Sequence, residues 1–149
     1  MSDNTIKMLV VVSKFYSEIT ELMLNAAVVT FQEHSEPVEH DVVYVPGSFE
    51  IPAAMVFAIL SDKYHYDGYV GLGCVIKGET DHYYYVSKGV TLSLSEIAAN
   101  HAVPMGFGVI TAENRELAMA RADINKKNVG GKAAKAALAM VNLHKKFLR

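Results

Sequence analysis

Cysteine is almost absent from this chain. Cys74 stands alone among 149 residues, which excludes an internal disulfide and suits a reducing compartment. An excess of charge of one sign is also lacking: 14 Lys and Arg against 16 Asp and Glu leave a net charge of −2. That balance argues against a nucleic-acid binder that works by charge alone. No apolar run approaches the roughly 20 residues needed to span a bilayer. The opening Met1-Ser2-Asp3-Asn4-Thr5-Ile6-Lys7 has no apolar h-region of a secretion signal. His34, His40, His65, His101 and His144 lack paired metal-ligand spacing, so no metal site is expected. There is no internal repeat, low-complexity tract or linker. The expectation is one soluble, cytoplasmic domain over residues 1–149, with no membrane or nucleic-acid partner; at 51% hydrophobic it has ample core material.

What is present alternates in period. Met8 to Ser13 is a short β-branched run, read as a buried strand, and Lys14-Phe15-Tyr16 is the turn after it. Ser17 or Thr20 could cap the next helix, which runs to about His34 with an apolar stripe of Ile19, Leu22, Met23, Ala26, Ala27 and Phe31. A second strand, Val38 to Val45, ends at Pro46-Gly47. A second helix then opens at Ser48 and continues to about Asp62, with Pro52 tolerated in its first turn. A third helix spans His82 to about Asn100, and the fourth strand Val103 to Thr111. A short helix, Glu113 to Arg121, is separated by Asp123 to Gly131 from an alanine-rich closing helix, Lys132 to about Lys146. Strict alternation of strand and helix predicts an α/β fold: a three-layer αβα sandwich on a four-stranded parallel sheet, flavodoxin-like. Ligands bind such sheets outside the carboxyl ends of the strands. Phe15-Tyr16, Ser48-Phe49-Glu50, Lys77 to His82 and Thr111 are expected at that edge.

One stretch organises the rest, from Val70 to His82. Val70-Gly71-Leu72-Gly73-Cys74-Val75-Ile76 is apolar with small residues interleaved, the pattern of a strand buried on both faces. It breaks at Lys77-Gly78 and places Glu79, Thr80 and Asp81 where a helix starts. Unpaired backbone N–H groups and the positive dipole end converge there, which is an anion site. Thr80 can add a hydroxyl. The dipole disfavours a charged ring at His82, so that residue reads as a proton acceptor. From physics alone this is a phosphate-holding site with a proton carrier beside it.

Each residue also has an ordinary structural reading. Phe15 could be a surface-turn aromatic; Ser48, Phe49 and Glu50 could simply start a helix, with Ser48 as its cap. Cys74, Val75 and Ile76 read as plain buried strand. Glu79 and Thr80 suit any helix start, and a lone histidine is more often structural than catalytic. Phe107, between Gly106 and Gly108, reads as core or as a close backbone approach. Arg121 reads as a helix-end arginine favoured by the dipole.

Taken together the residues do more. Phe15, then Val45-Pro46-Gly47-Ser48-Phe49-Glu50-Ile51-Pro52, then Gly73-Cys74-Val75-Ile76-Lys77-Gly78-Glu79-Thr80-Asp81-His82, are in order and at family spacing. Phe107-Gly108-Val109-Ile110-Thr111-Ala112-Glu113-Asn114 and Ala120-Arg121-Ala122 continue the series, so that from about Met8 to Leu143 the chain resembles the 6,7-dimethyl-8-ribityllumazine synthase family. The resemblance implies an enzyme of the penultimate step of riboflavin synthesis. It would condense 5-amino-6-(D-ribitylamino)uracil with 3,4-dihydroxy-2-butanone 4-phosphate, releasing phosphate and water, with no metal or organic cofactor. It implies a homopentamer or a multiple of one, with active sites between subunits, and an association with riboflavin synthase.

By the same resemblance Phe15 stacks on the pyrimidine. Ser48 and Phe49 hold it through the backbone, Glu50 accepts ribityl hydroxyls, and Cys74, Val75 and Ile76 meet the uracil edge mostly through their backbone. Glu79 and Thr80 bind the phosphate, with the Glu79 carboxylate turned away from that anion, and Lys77 is an electrostatic aid. His82 transfers protons. Phe107 and Arg121 arrive from the adjacent subunit, the latter on the phosphate. The chain departs from the family pattern at Tyr16, where Asn is common, at Val129, the place of a frequent lysine, and in the loop from Asp123 to Gly131. Two other readings stay open: a flavodoxin-like binding or signalling module, and a non-catalytic ligand carrier. The first lacks an acidic pair for Mg²⁺ at Ser13 to Tyr16. Intact Phe15, Glu50, His82 and Arg121 speak against the second.

Overall fold

A computed structural model describes residues 4–148; residues 1–3, part of the opening read for a secretion signal, lie outside them. In chain order the elements are β1 (Ile6–Ser13), α1 (Ser17–Glu33), β2 (Val38–Val45), a 3₁₀ turn (Ser48–Glu50), α2 (Ile51–Ile59), β3 (Gly68–Ile76), α3 (His82–His101), β4 (Met105–Ala112), α4 (Arg115–Ala122) and α5 (Val129–Phe147). The strands form one parallel sheet in the order β2-β1-β3-β4. This is the expected α/β three-layer sandwich of flavodoxin-like type.

The pleat divides the apolar runs between two cores. Met8, Val10 and Val12 of β1, with Val70, Leu72 and Cys74 of β3, face α1, α4 and α5. Leu9, Val11, Tyr69 and Val75 face α2 and α3 instead. Both faces are covered, so β1 and β3 read as continuous rather than alternating hydrophobic runs. Two glycines let α5 come close to its neighbours. A Cβ at Gly106 would overlap the Ala133 carbonyl, and one at Gly130 would overlap the Met23 carbonyl.

Several boundaries differ from expectation for identifiable reasons. Neither Ser17 nor Thr20 caps α1: its N-cap is Tyr16, and the Thr20 hydroxyl is buried, donating to the Ser13 carbonyl at 2.7 Å. The single helix expected from Ser48 to about Asp62 is a 3₁₀ turn followed by α2, which ends at Ile59. Pro52 has no N–H to bond the Ser48 carbonyl and its ring crowds it. Ile51 donates to Ser48 instead, in the tighter pattern, and Ser48 caps nothing. β4 starts at Met105, after Pro104, whose carbonyl accepts from Tyr69 N–H at 2.9 Å. α5 starts three residues before Lys132, because Asn128 is its cap and accepts from Gly131 N–H at 3.1 Å. Gly130 and Gly131, read as loop, are thus helical.

Candidate active site

The strand order reverses between β1 and β3. Outside their carboxyl ends opens a cleft of about 790 Å³, where such sheets bind ligands. Phe15 and Tyr16 line it from the turn after β1; Ser48, Phe49 and Glu50 line it from the 3₁₀ turn. Cys74, Val75 and Ile76 supply the floor, and Gly78, Thr80 and His82 the far wall at the start of α3. A slightly larger groove of about 830 Å³ lies between α1 and α4 and holds none of the candidate substrate-binding or catalytic residues. Size does not mark the site here; convergence of polar groups does.

Register gives the floor its chemistry. β1 pairs with β3 only as far as Val12 opposite Leu72, whereas β4 pairs onward to Ala112 opposite Ile76. From Gly73 to Ile76 the backbone of β3 therefore has β4 on one side and the cleft on the other. Its peptide groups can bond a planar, amide-bearing ligand as a strand would. The Cys74 side chain turns into the core at 2% exposure. Burial, only partly offset by the Arg115 guanidinium, pushes its thiol up to about 11. It is a neutral lining group, not a nucleophile.

The 3₁₀ turn is pressed onto β3 by Gly73, where a Cβ would overlap Ser48 Oγ. Ser48 Oγ is buried with no hydrogen-bond partner among the described residues. The turn carries Phe49 outward, 67% exposed, with Glu50 beside it. At the far wall Thr80 Oγ1 accepts from His82 N–H at 3.3 Å, which leaves the hydroxyl proton free to be donated. His82 is exposed, at the first position of α3.

Four of the residues expected at this edge, Lys77, Glu79, Asp81 and Thr111, do not line the cleft, and Phe107 and Arg121, which the resemblance assigns to an adjacent subunit's site, lie away from it too. Glu79 and Lys77 are exposed beside it. Thr111 lies on β4, beyond β3, and is exposed there. Phe107 pairs with Gly71, well back from the carboxyl end of its strand, and is 45% exposed on an edge strand. Arg121 is in the last turn of α4, with one guanidinium nitrogen donating to the Leu117 carbonyl at 3.3 Å. Among the described residues the cleft lining holds one carboxylate, Glu50, and no lysine or arginine.

Sequence reasoning passed over Tyr83, Tyr85 and Val86, all in the lining. Their signal was available: His82, Tyr85 and Val86 stand at i, i+3 and i+4, on one face of α3. Tyr16 was noted only as a departure. Its backbone is left-handed, φ 60 and ψ 50, a conformation that asparagine tolerates and a bulky residue resists by roughly 1–3 kcal/mol. That is the physical reason asparagine suits this turn.

Comparison with known proteins agrees with the geometry. The family model described as 6,7-dimethyl-8-ribityllumazine synthase matches residues 5–145. A protein of that name from Bartonella henselae is 43% identical over 139 residues, covering 93% of this chain and 88% of its own length. Another from Bartonella bacilliformis is 42% identical, covering 94% and 91%. One from Agrobacterium fabrum is 40% identical over 143 residues, covering 94% and 95%.

Proposed function

The chain belongs to the 6,7-dimethyl-8-ribityllumazine synthase family of riboflavin-biosynthesis enzymes, and from that premise we propose how its own residues divide the reaction. The pyrimidine of 5-amino-6-(D-ribitylamino)uracil lies between Phe15 and the free edge of β3, where Cys74, Val75 and Ile76 bond it through the backbone. Ser48 and Phe49 border it from the 3₁₀ turn, and Glu50 accepts the ribityl hydroxyls. The phosphate of 3,4-dihydroxy-2-butanone 4-phosphate sits at the start of α3, on the Thr80 hydroxyl and the backbone N–H groups of Glu79 and Thr80. In this reading the Glu79 carboxylate, which would repel that anion, turns away from it.

The substrate amine is itself the nucleophile, so the protein chiefly supplies proximity and orientation. It attacks the ketone, and loss of water gives an imine. Elimination of phosphate, rearrangement and ring closure with loss of a second water complete the lumazine. His82 moves protons among these steps, and no metal or organic cofactor enters.

Phosphate departure calls for a cation that the cleft does not contain. In this reading Arg121 of an adjacent copy provides it, as a bidentate partner for the phosphate, and Phe107 of that copy closes the pyrimidine pocket. The assembly is a pentamer or a multiple of one. The described residues include no helix long and apolar enough to cross a membrane, and the reading places the enzyme in the cytoplasm as one catalytic domain. An association with riboflavin synthase, which would consume the product, belongs to the same reading.

The observation that carries it is the meeting of Phe15, the 3₁₀ turn, the free edge of β3 and the start of α3 around one cleft that lacks its cation. Subunit mixing tests it. Glu50→Ala and Arg121→Ala are each expected to be nearly inactive alone. Unfolded and refolded together, they regain activity, because some interfaces then pair an intact cleft with an intact arginine. No recovery in mixed oligomers would show that both residues serve the same subunit's site, or that Arg121 serves none.

A further inference from the structure

Phe15 is 60% exposed on the turn after β1, and an aromatic ring so placed rotates freely unless something holds it. The residue beside it is in an unusual state. Tyr16 is the only bulky side chain with a left-handed backbone among the described residues; the others are Ala102 and Asn128, at helix ends away from the cleft. Such a conformation persists only where the surroundings over-determine it.

Here they do. The Tyr16 carbonyl accepts from Ile19 N–H at 2.9 Å and Thr20 N–H at 3.1 Å. Its side chain packs, half-buried, against the core shared by α1 and α5. Ser13 and Thr20, both fully buried, brace the turn from below: the Thr20 hydroxyl donates to the Ser13 carbonyl, and Ser13 Oγ accepts from Phe15 N–H at 3.2 Å. What the strained backbone delivers is the Tyr16 ring, set edge-on against Phe15 at 4.7 Å between centroids and 84° between planes. That T-shaped contact is a favourable aromatic geometry.

We propose that Tyr16 is a positioning residue: it wedges between the core and Phe15 and fixes the Phe15 ring at the angle the pyrimidine meets. The inference deepens the reading given above and rests on it for the identity of the ligand. It separates the two substrates, because Phe15 faces the pyrimidine side of the cleft and the phosphate side is built on α3.

The chain contains no tryptophan, so Phe15→Trp introduces a single reporter whose time-resolved anisotropy reads ring mobility without turnover. In that background the indole is expected to move with the whole particle. Adding Tyr16→Ala, or Tyr16→Leu should the alanine variant not fold, is expected to introduce a fast local component. In the parent background, Tyr16→Ala and Tyr16→Leu are expected to raise KM for the pyrimidine substrate about three- to tenfold, the loss of one aromatic pair, with KM for the phosphate substrate unchanged. Tyr16→Phe, which keeps the ring, restores the pyrimidine KM. Equal anisotropy with and without the Tyr16 ring overturns the proposal, as does a rise in both KM values together. A parent that makes no lumazine while the anisotropy still separates would overturn the substrate assignment and leave Phe15 held by Tyr16.

Discussion

Replacing Gly73 by alanine is the sharpest test of how β3 places the 3₁₀ turn. A Cβ at that position would overlap Ser48 Oγ and stand 3.1 Å from Ile51 Cδ1 and 3.2 Å from Ser48 Cβ, where ordinary contact begins at 3.4 Å. Ser48 is 5% exposed, so its hydroxyl has little room to turn aside. The 3₁₀ turn must lift from the sheet by on the order of 1 Å, and overpacking of this kind costs about 1–3 kcal/mol. For a chain of this size that lowers Tm by about 2–12 °C. The same lift carries Phe49 and Glu50 out of register with the floor of the cleft, and a misplacement of about 1 Å in a reacting site costs on the order of 10²-fold in rate. Thermal unfolding followed by circular dichroism and steady-state lumazine formation measure the two effects. Gly73→Ala combined with Ser48→Gly removes the two Ser48 atoms closest to the new methyl, and is expected to recover most of both losses, a coupling that a double-mutant cycle isolates. Parental Tm and activity in Gly73→Ala, or a double variant no better than the single one, would refute the reasoning.

Other perturbations follow from the same contacts. Gly130→Ala drives a methyl into the Met23 carbonyl and forces α5 away from α1; urea unfolding is expected to show a loss of about 1–3 kcal/mol despite alanine's better helix propensity. His82 is exposed and donates no side-chain hydrogen bond among those described, so His82→Ala is expected to slow turnover by about 10²-fold or less and leave Tm unchanged; an unaltered rate removes it from the mechanism. Burial pushes the Cys74 thiol from 9.0 to about 11, and burial with the Asp41 hydrogen bond pushes the Tyr66 hydroxyl from 10.0 to about 12. In the unfolded chain both ionise first, so the folded state holds more protons from about pH 9 upward and stability falls as pH rises through that window. Cys74→Ala is expected to flatten the lower part of that slope in urea titrations; a parallel curve would contradict it. At pH 8 the folded protein is expected to resist iodoacetamide at Cys74 and to react only when unfolded, as read by mass spectrometry.

The fold was legible where burial dictates composition. β1 and β3 announced themselves as β-branched and small-residue runs because both of their faces are covered, and the alternation with amphipathic helices fixed the sheet as parallel. Boundaries were lost where one residue overrules a pattern. Pro52 turned a helix start into a 3₁₀ turn, Asn128 capped α5 ahead of a glycine pair that reads as loop, and the left-handed Tyr16 displaced two better-looking caps. Most cleft side chains were legible as motifs, Tyr83, Tyr85 and Val86 excepted, whereas the free backbone edge of Gly73 to Ile76 was implied only by the resemblance and not by the residues themselves. It arises from β1 ending earlier than β4 along β3, a fact of register between strands distant in sequence. Phe107 and Arg121 posed a conflict that chain order alone could not resolve, and they lie away from their own cleft.

The most direct measurement supplies both substrates to purified, metal-free protein and follows lumazine absorbance together with phosphate release. Lumazine and phosphate formed one to one, at a rate that chelator does not change, is the expected result. A folded oligomer that binds the pyrimidine yet forms neither product would contradict the assignment of this cleft as a lumazine synthase active site.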